Sequence, residues 1–353
     1  MVKKEQIFGL LTCLLALFGC KPESCDIKAL CVRDEIGNYI IKWETNPVIQ
    51  GTAKLYVSDV PDKFDMSHPA ITTPIEDGFI RYITENNIQR KYFRITFNDH
   101  FPQDIAAQYT FMEGIQNFRD VGGYKSKKGR HIRWGKIYRS GNIHNFTSQD
   151  SIRMSAAGIK TIIDLRTAHE VKERPIYFPN TQIIHIPIPC GNKDEMMQRI
   201  LENKVRKRDG SLFMEDAYIR FIANNTEDFG EALRILLDKK NYPVLISGEL
   251  GKDRVGIFIS FLFSILDISQ ESITREYMAS NHYINPGFMA KTASSLSSDS
   301  QETMTVLLSV SESYLNIAYQ EIENRYGSFD NYRETGLKIS GRNKDKLKDL
   351  LLK

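Results

Sequence analysis

The residues best equipped for chemistry stand in a row: Lys252, Asp253 and Arg254, two cations around a carboxylate, set between Gly251 and Gly256. Before them runs the apolar segment Val244 to Ile246, and after them a second one, Gly256 to Leu266, apolar on all sides. A buried strand, a tight turn bearing Gly248 and Gly251, and a helix start aim backbone N–H groups and a helix dipole at one point. The amides of Glu249, Leu250, Gly251, Lys252, Arg254, Val255 and Gly256 line that point in this reading. Lys252 adds charge, and Arg254 can grip a phosphate through two N–H groups. The chemistry implied is anion binding, phosphate above all. Glycines serving only a bend would explain a lone Gly-x-Gly, but not Gly-Lys-Asp-Arg behind a buried strand.

Pro243 to Gly256 resembles the phosphate-binding loop of the cysteine-dependent tyrosine phosphatases, in particular the bacterial, dual-specificity-like branch. That loop reads His-Cys-x-x-Gly-Lys-Asp-Arg-Thr-Gly, and Gly251, Lys252, Asp253, Arg254 and Gly256 match it position by position. Ser247 replaces its His, Gly248 its nucleophilic Cys and Val255 its Thr. The family reaction needs a thiolate to attack phosphorus, and Gly248 has no side chain to supply one. Losing a nucleophile costs a hydrolase of another family about a million-fold in turnover. Binding has no such need. A thiolate about 4 Å from a phosphate repels it by roughly 4 kcal/mol per unit charge at an effective dielectric of about 20, so its removal leaves the amides and Arg254 with less to oppose.

The resemblance also implies that Asp164 and Asp253 handle the leaving-group proton. Each has a structural alternative. Asp164 can pair with Arg166 or Arg139, and Asp253 can cap the loop or pair with Lys or Arg. Asn117, Arg119 and Asp120, inside the family-like G-I-Q-N-F-R-D-V-G-G-Y, read as loop braces. I-Y-R-S-G-N from Ile137 and Y-G-S-F-D-N-Y from Tyr326 are family-like too, so the resemblance covers nearly all of residues 107–353.

The elements that must position this loop follow from periodicity. Thr161 to Leu165 reads as a buried strand, leading to Glu170 and Arg174. Helical patterns span 148–159, 196–205, 213–222, 229–237, 269–283 and 303–325, with a flexible connector at Ser294 to Ser300. The segment from Met196 to Val205 reads equally as a lid or as a surface helix packed through Met197 and Ile200. The fold class expected is α/β, a tyrosine-phosphatase-like central sheet flanked by helices. Before it, residues 25–105 alternate at Tyr39, Ile41 and Trp43, at Leu55 and Val57, and at Phe93, Ile95 and Phe97, with turn residues between them. That pattern predicts a small β-sandwich, which resembles a fibronectin type III module and serves as a spacer or docking unit.

With 353 residues, 41% hydrophobic and 10% aromatic, the chain can bury two cores. A net charge of +3 spread along the chain excludes a bulk nucleic-acid binder, and the Lys204 to Arg208 cluster reads as a solvated loop. No His/Cys cluster has metal-ligand spacing, and no cofactor is implied. At the N-terminus, Lys3 and Lys4 precede an apolar run from Ile7 to Phe18, as in a secretory signal. Gly19-Cys20 at its end resembles a bacterial lipoprotein box, which implies a signal peptide over 1–19, lipid on Cys20 and a linker over 20–24. The expected location is the bacterial cell envelope, lipid-anchored and extracytoplasmic. Cys25 and Cys31 read as a disulfide or as two free thiols, and Cys190 as a packing cysteine.

Three functions compete. The first is an inactive phosphatase relative that binds a phosphorylated protein, a phosphoinositide or another anionic ligand. The second is an active phosphatase using water, Ser247 or Cys190 as nucleophile. The third is a scaffold lipoprotein that binds partners through the sandwich, with the loop idle.

Overall fold

The structure, a computed structural model, describes residues 25–34 and 36–353. The expected signal, linker and lipidated Cys20 lie outside the described residues.

The first unit is a two-sheet sandwich. Strands β1 (Asp26–Arg33), β2 (Tyr39–Asn46) and β5 (Phe79–Tyr82) form one antiparallel sheet in the order β1-β2-β5. Strands β3 (Thr52–Ser58), β4 (Ile71–Pro74), β6 (Tyr92–Phe97) and β7 (His100–Ala106) form the other, in the order β4-β3-β6-β7. The period-two pattern works as expected: Tyr39, Ile41 and Trp43 from one sheet meet Leu55, Phe93, Ile95 and Phe97 from the other in one buried cluster. Cys25 sits just before β1 and Cys31 within it, so about 20 Å of extended chain separates them. A disulfide needs Cα atoms within about 7 Å, so this pair cannot close, and both thiols are free.

The second unit is α/β. Its sheet has the order β11-β10-β12-β9-β8, from β8 (Arg119–Asp120), β9 (Ile137–Ser140), β10 (Thr161–Asp164), β11 (Gln182–His185) and β12 (Val244–Ser247). The pairings among β9 to β12 are parallel, and the short β8 is antiparallel. Around the sheet lie α1 (Ser148–Ala156), α2 (Ala168–Glu173), α3 (Lys193–Leu201), α4 (Asp209–Asn224), α5 (Thr226–Ile235), α6 (Arg254–Ile265) and α7 (Gln270–Met278). In α6, eleven of twelve residues are buried, as a helix apolar on every side requires. In α1, Met154 is buried but Ile152 faces solvent, so the apolar side is narrower than the pattern suggested.

The single helix expected over 303–325 is two, Ser298–Leu308 and Glu312–Tyr326, broken at Ser309. The serine-rich stretch before it is no loose connector either: Ser297 caps Ser298–Leu308 by accepting the Ser300 amide. No helix among the described residues is long and apolar enough to cross a membrane.

The sandwich is docked firmly on the second unit. Arg90 pairs with the buried carboxylate of Asp120 at 2.5 Å and donates to the Ala107 carbonyl at 2.7 Å. Lys353 pairs with Asp104 at 2.9 Å and with Asp62. Tyr92, Ala106 and Trp134 form a small apolar cluster at the same junction.

Candidate functional site

The turn after β12 stands at the C-terminal end of the middle strand. Parallel pairing brings Asp164 of β10 and Ser140 of β9 level with Ser247. The segments that leave all three strands therefore meet at one end of the sheet, where ligands bind in open α/β folds.

The loop's carbonyls point backward, and each has a donor. Asn142 N–H donates to Glu249 O at 3.0 Å. Asn117 Nδ2 donates to Leu250 O at 3.3 Å and to Gly251 O at 2.9 Å, and Arg139 Nη2 also donates to Gly251 O. Lys252 O and Asp253 O accept from Gly256 and Ile257 as α6 begins, so the Gly256 amide, expected to line the cradle, is spent inside the helix instead. Among the described residues, no amide from Gly248 to Arg254 donates to a protein acceptor. Carbonyls tied behind and amides left without protein acceptors are the arrangement found in anion nests. Gly251 has to be glycine, because its φ is +65° and an added Cβ would stand 2.2 Å from Ser140 O.

Behind the carbonyls lies a buried ionic cluster. Glu276 accepts from Arg119 Nη2 at 2.8 Å and from Arg139 Nη1 at 2.7 Å, with Ser280 Oγ nearby. Arg139 is fully buried; burial and the like charge of Arg119 outweigh Glu276 and pull its pKa down to about 10.

Arg254 is held end-on. Nη1 and Nη2 reach the two carboxylate oxygens of Glu170 at 2.7 and 2.8 Å, and Nη1 also donates to Leu165 O at 3.1 Å. That use leaves the side-on pair, Nε–H and one Nη2–H, for an incoming oxyanion. Glu170 does double duty: it is the third residue of a Thr167 capping box that opens α2, and it is the clamp on Arg254. Burial pushes its pKa up, but the hydrogen bonds and charge of Arg254 win and bring it to about 2. The Thr-x-x-Glu spacing was the one sequence signal for this residue, and it points to a helix start, not to the site.

Lys252 departs from its expected role. Its ammonium is buried, donating to Asp253 Oδ1 at 2.8 Å and to Ser309 O at 2.9 Å, so the break between the helices Ser298–Leu308 and Glu312–Tyr326 is what receives it. Asp253 also accepts from Tyr218 Oη at 2.9 Å. Burial pushes its pKa up, but the charges of Lys252 and Lys193 and these hydrogen bonds leave it below the usual carboxylate value. A general acid needs the opposite shift. Asp164 forms a buried two-oxygen pair with Arg166, at 2.9 Å through Nη2, and so braces the turn that carries Glu170. Tyr218 and Glu276 had no sequence signal, because their partners lie 35 to 157 residues away.

Gly248 stands where the sequence resemblance expects the nucleophile. Its backbone is outside the left-handed region, and a Cβ there would meet only Val255 Cγ2, at 3.1 Å. Neither proposed substitute is exposed. Ser247 Oγ is buried and donates to Gly141 O at 2.9 Å. The Cys190 thiol is 2% exposed, and burial pushes its pKa up. The segment expected as lid or surface helix is α3, packed through Met196 and Ile200 with Val205, Leu296 and Met304; Met197 is only half-buried. Among the described residues, no group of three His, Cys, Asp or Glu side chains could hold a metal.

A nest of free amides with a clamped arginine, at the end of a central parallel strand, defines the class of site, and comparison with known proteins defines the family. Residues 110–353 match the model of the tyrosine phosphatase family, and the chain belongs to that family. A protein of Cupriavidus necator named as a tyrosine-protein phosphatase is 29% identical over 231 residues, 64% of this chain and 82% of its own length. The triple specificity protein phosphatase PtpB of Mycobacterium tuberculosis is 25% identical over 262 residues, 64% of this chain and 93% of that one. Among solved structures, the core catalytic domain of the S. cerevisiae PP-IP phosphatase SIW14 aligns with a TM-score of 0.29 at 17% identity, covering 60% of this chain and 95% of that chain.

Proposed function

We propose that this chain is a phosphatase relative that binds phosphorylated proteins, phosphoinositides or other anionic groups and does not hydrolyse them. The observation that carries the reading is Gly248 at the nucleophile position of an otherwise assembled cradle. Amides without protein acceptors and a side-on fork on Arg254 supply binding; no group in the loop can attack phosphorus. The buried Ser247 and the raised pKa of Cys190 weigh against substitutes. In the same reading the protein is anchored through lipid on Cys20 in the bacterial envelope, facing away from the cytoplasm. The sandwich is fibronectin type III-like, and its three-plus-four strand order supports that likeness.

The test uses the full-length protein purified in detergent. It is expected to bind inorganic phosphate at low salt and to hydrolyse aryl phosphate at the background rate. Gly248→Cys is expected to raise hydrolysis by at least about a hundredfold, part of the full worth of a nucleophile. Vanadate-sensitive turnover by the unmodified protein at a rate matching the cysteine variant would overturn the reading.

A further inference from the structure

The charged side chains around the cradle pair off almost completely. Arg254 is neutralised by Glu170, Lys252 by Asp253, and Arg174 meets Glu249 at the rim at 2.6 Å. On the open side of the cradle three cations and three carboxylates leave no net charge; the unit left over by Arg119 and Arg139 against Glu276 is buried behind the carbonyls. Lys193 is the exception. It lines the cradle together with Gly248 to Val255, and it makes no hydrogen bond or ion pair among the described residues. Glu170, Lys252, Asp253 and Cys190, the ionisable groups around that same pocket, all feel its charge. The acidic neighbours on its own helix are engaged elsewhere: Asp194 lies 3.7 Å from His169, and Glu195 accepts from Asn192. Lys193 is also the first residue of α3, where the helix dipole disfavours a cation. An anion seated in the cradle would relieve that cost.

We infer that Lys193 is the binding residue that gives the open side of the cradle its net positive charge, and that it selects the dianion of a phosphomonoester over singly charged anions. The inference rests on the anion-binding reading above. A dianion draws twice the Coulomb attraction to Lys193 that a monoanion does at the same distance. Backbone amides serve the two less unequally, because they act mainly as short-range hydrogen-bond donors.

Titration calorimetry of the full-length protein at low salt tests this, with phenyl phosphate and diphenyl phosphate as probes. Lys193→Gln is expected to weaken phenyl phosphate by about tenfold, the scale of one partly screened unit charge near a dianion, and to narrow its advantage over the diester. Lys193→Arg is expected to restore binding. Lys204→Gln, at an exposed site beyond the end of α3, is expected to change nothing. Phenyl phosphate binding by Lys193→Gln within twofold of the unmodified protein overturns the assignment while leaving the cradle reading intact. Failure of the unmodified protein to bind phosphate or phenyl phosphate at all overturns both.

Discussion

The two sides of the loop from Ser247 to Arg254 are built to different rules. Behind it, every carbonyl from Glu249 to Asp253 has a donor, and two buried arginines share one buried glutamate. In front, amides stand without protein partners, and Gly248 and Val255, two of the three positions expected to differ from the family loop, line the cradle. Shape comes from the back and chemistry from the front. A change in front can therefore abolish turnover and leave the cradle's geometry in place. A change behind should disturb both.

The comparison can be broken most decisively from behind. Glu276→Gln leaves Arg119 and Arg139 buried without their shared counter-charge, and the expected loss of stability is about 3–5 kcal/mol. Denaturant unfolding measures it, and a loss below about 1 kcal/mol would mean that the back is not the rigid half. Glu170 lies between the two sides. Its folded pKa is depressed to about 2, so its contribution is fully present above its unfolded value and is lost as pH falls from about 5 toward 2. Glu170→Gln should remove roughly 3 kcal/mol at neutral pH and flatten the fall in stability across that acid window. Equal pH slopes in the two proteins would show that Arg254 is held by something else.

The smallest effect is expected in front. In a Gly248→Cys background, Val255→Thr restores the missing hydroxyl and should raise turnover about tenfold further, the order of one hydrogen bond to a charged group. Unfolding midpoints of both variants should match the unmodified protein, because the added Cβ meets only a movable methyl of Val255.

How much of this could be read from the chain's order depends on sequence distance. The cradle was legible because Val244 to Gly256 is contiguous, and local order alone makes strand, turn and helix. The sandwich was legible through its alternating residues. The partners of the cradle were not. Lys252 looks like a ligand-binding cation until a helix break 57 residues later presents the Ser309 carbonyl. Glu170 announces itself only as a helix cap, and Lys193 as one more surface lysine. Pairing of charges is a tertiary property, and composition cannot reveal which cation is left over.

Asp120 has a further consequence. One of its oxygens takes Arg90 from the sandwich, and both oxygens hold backbone amides, of Gly122 and Gly135. The next residue back, Arg119, grips Glu276 beneath the loop. The contact between the sandwich and Asp120 is thus one residue from the struts under the loop. Trimming the sandwich away would leave Asp120 buried without the Arg90 charge and loosen the segment that carries those struts.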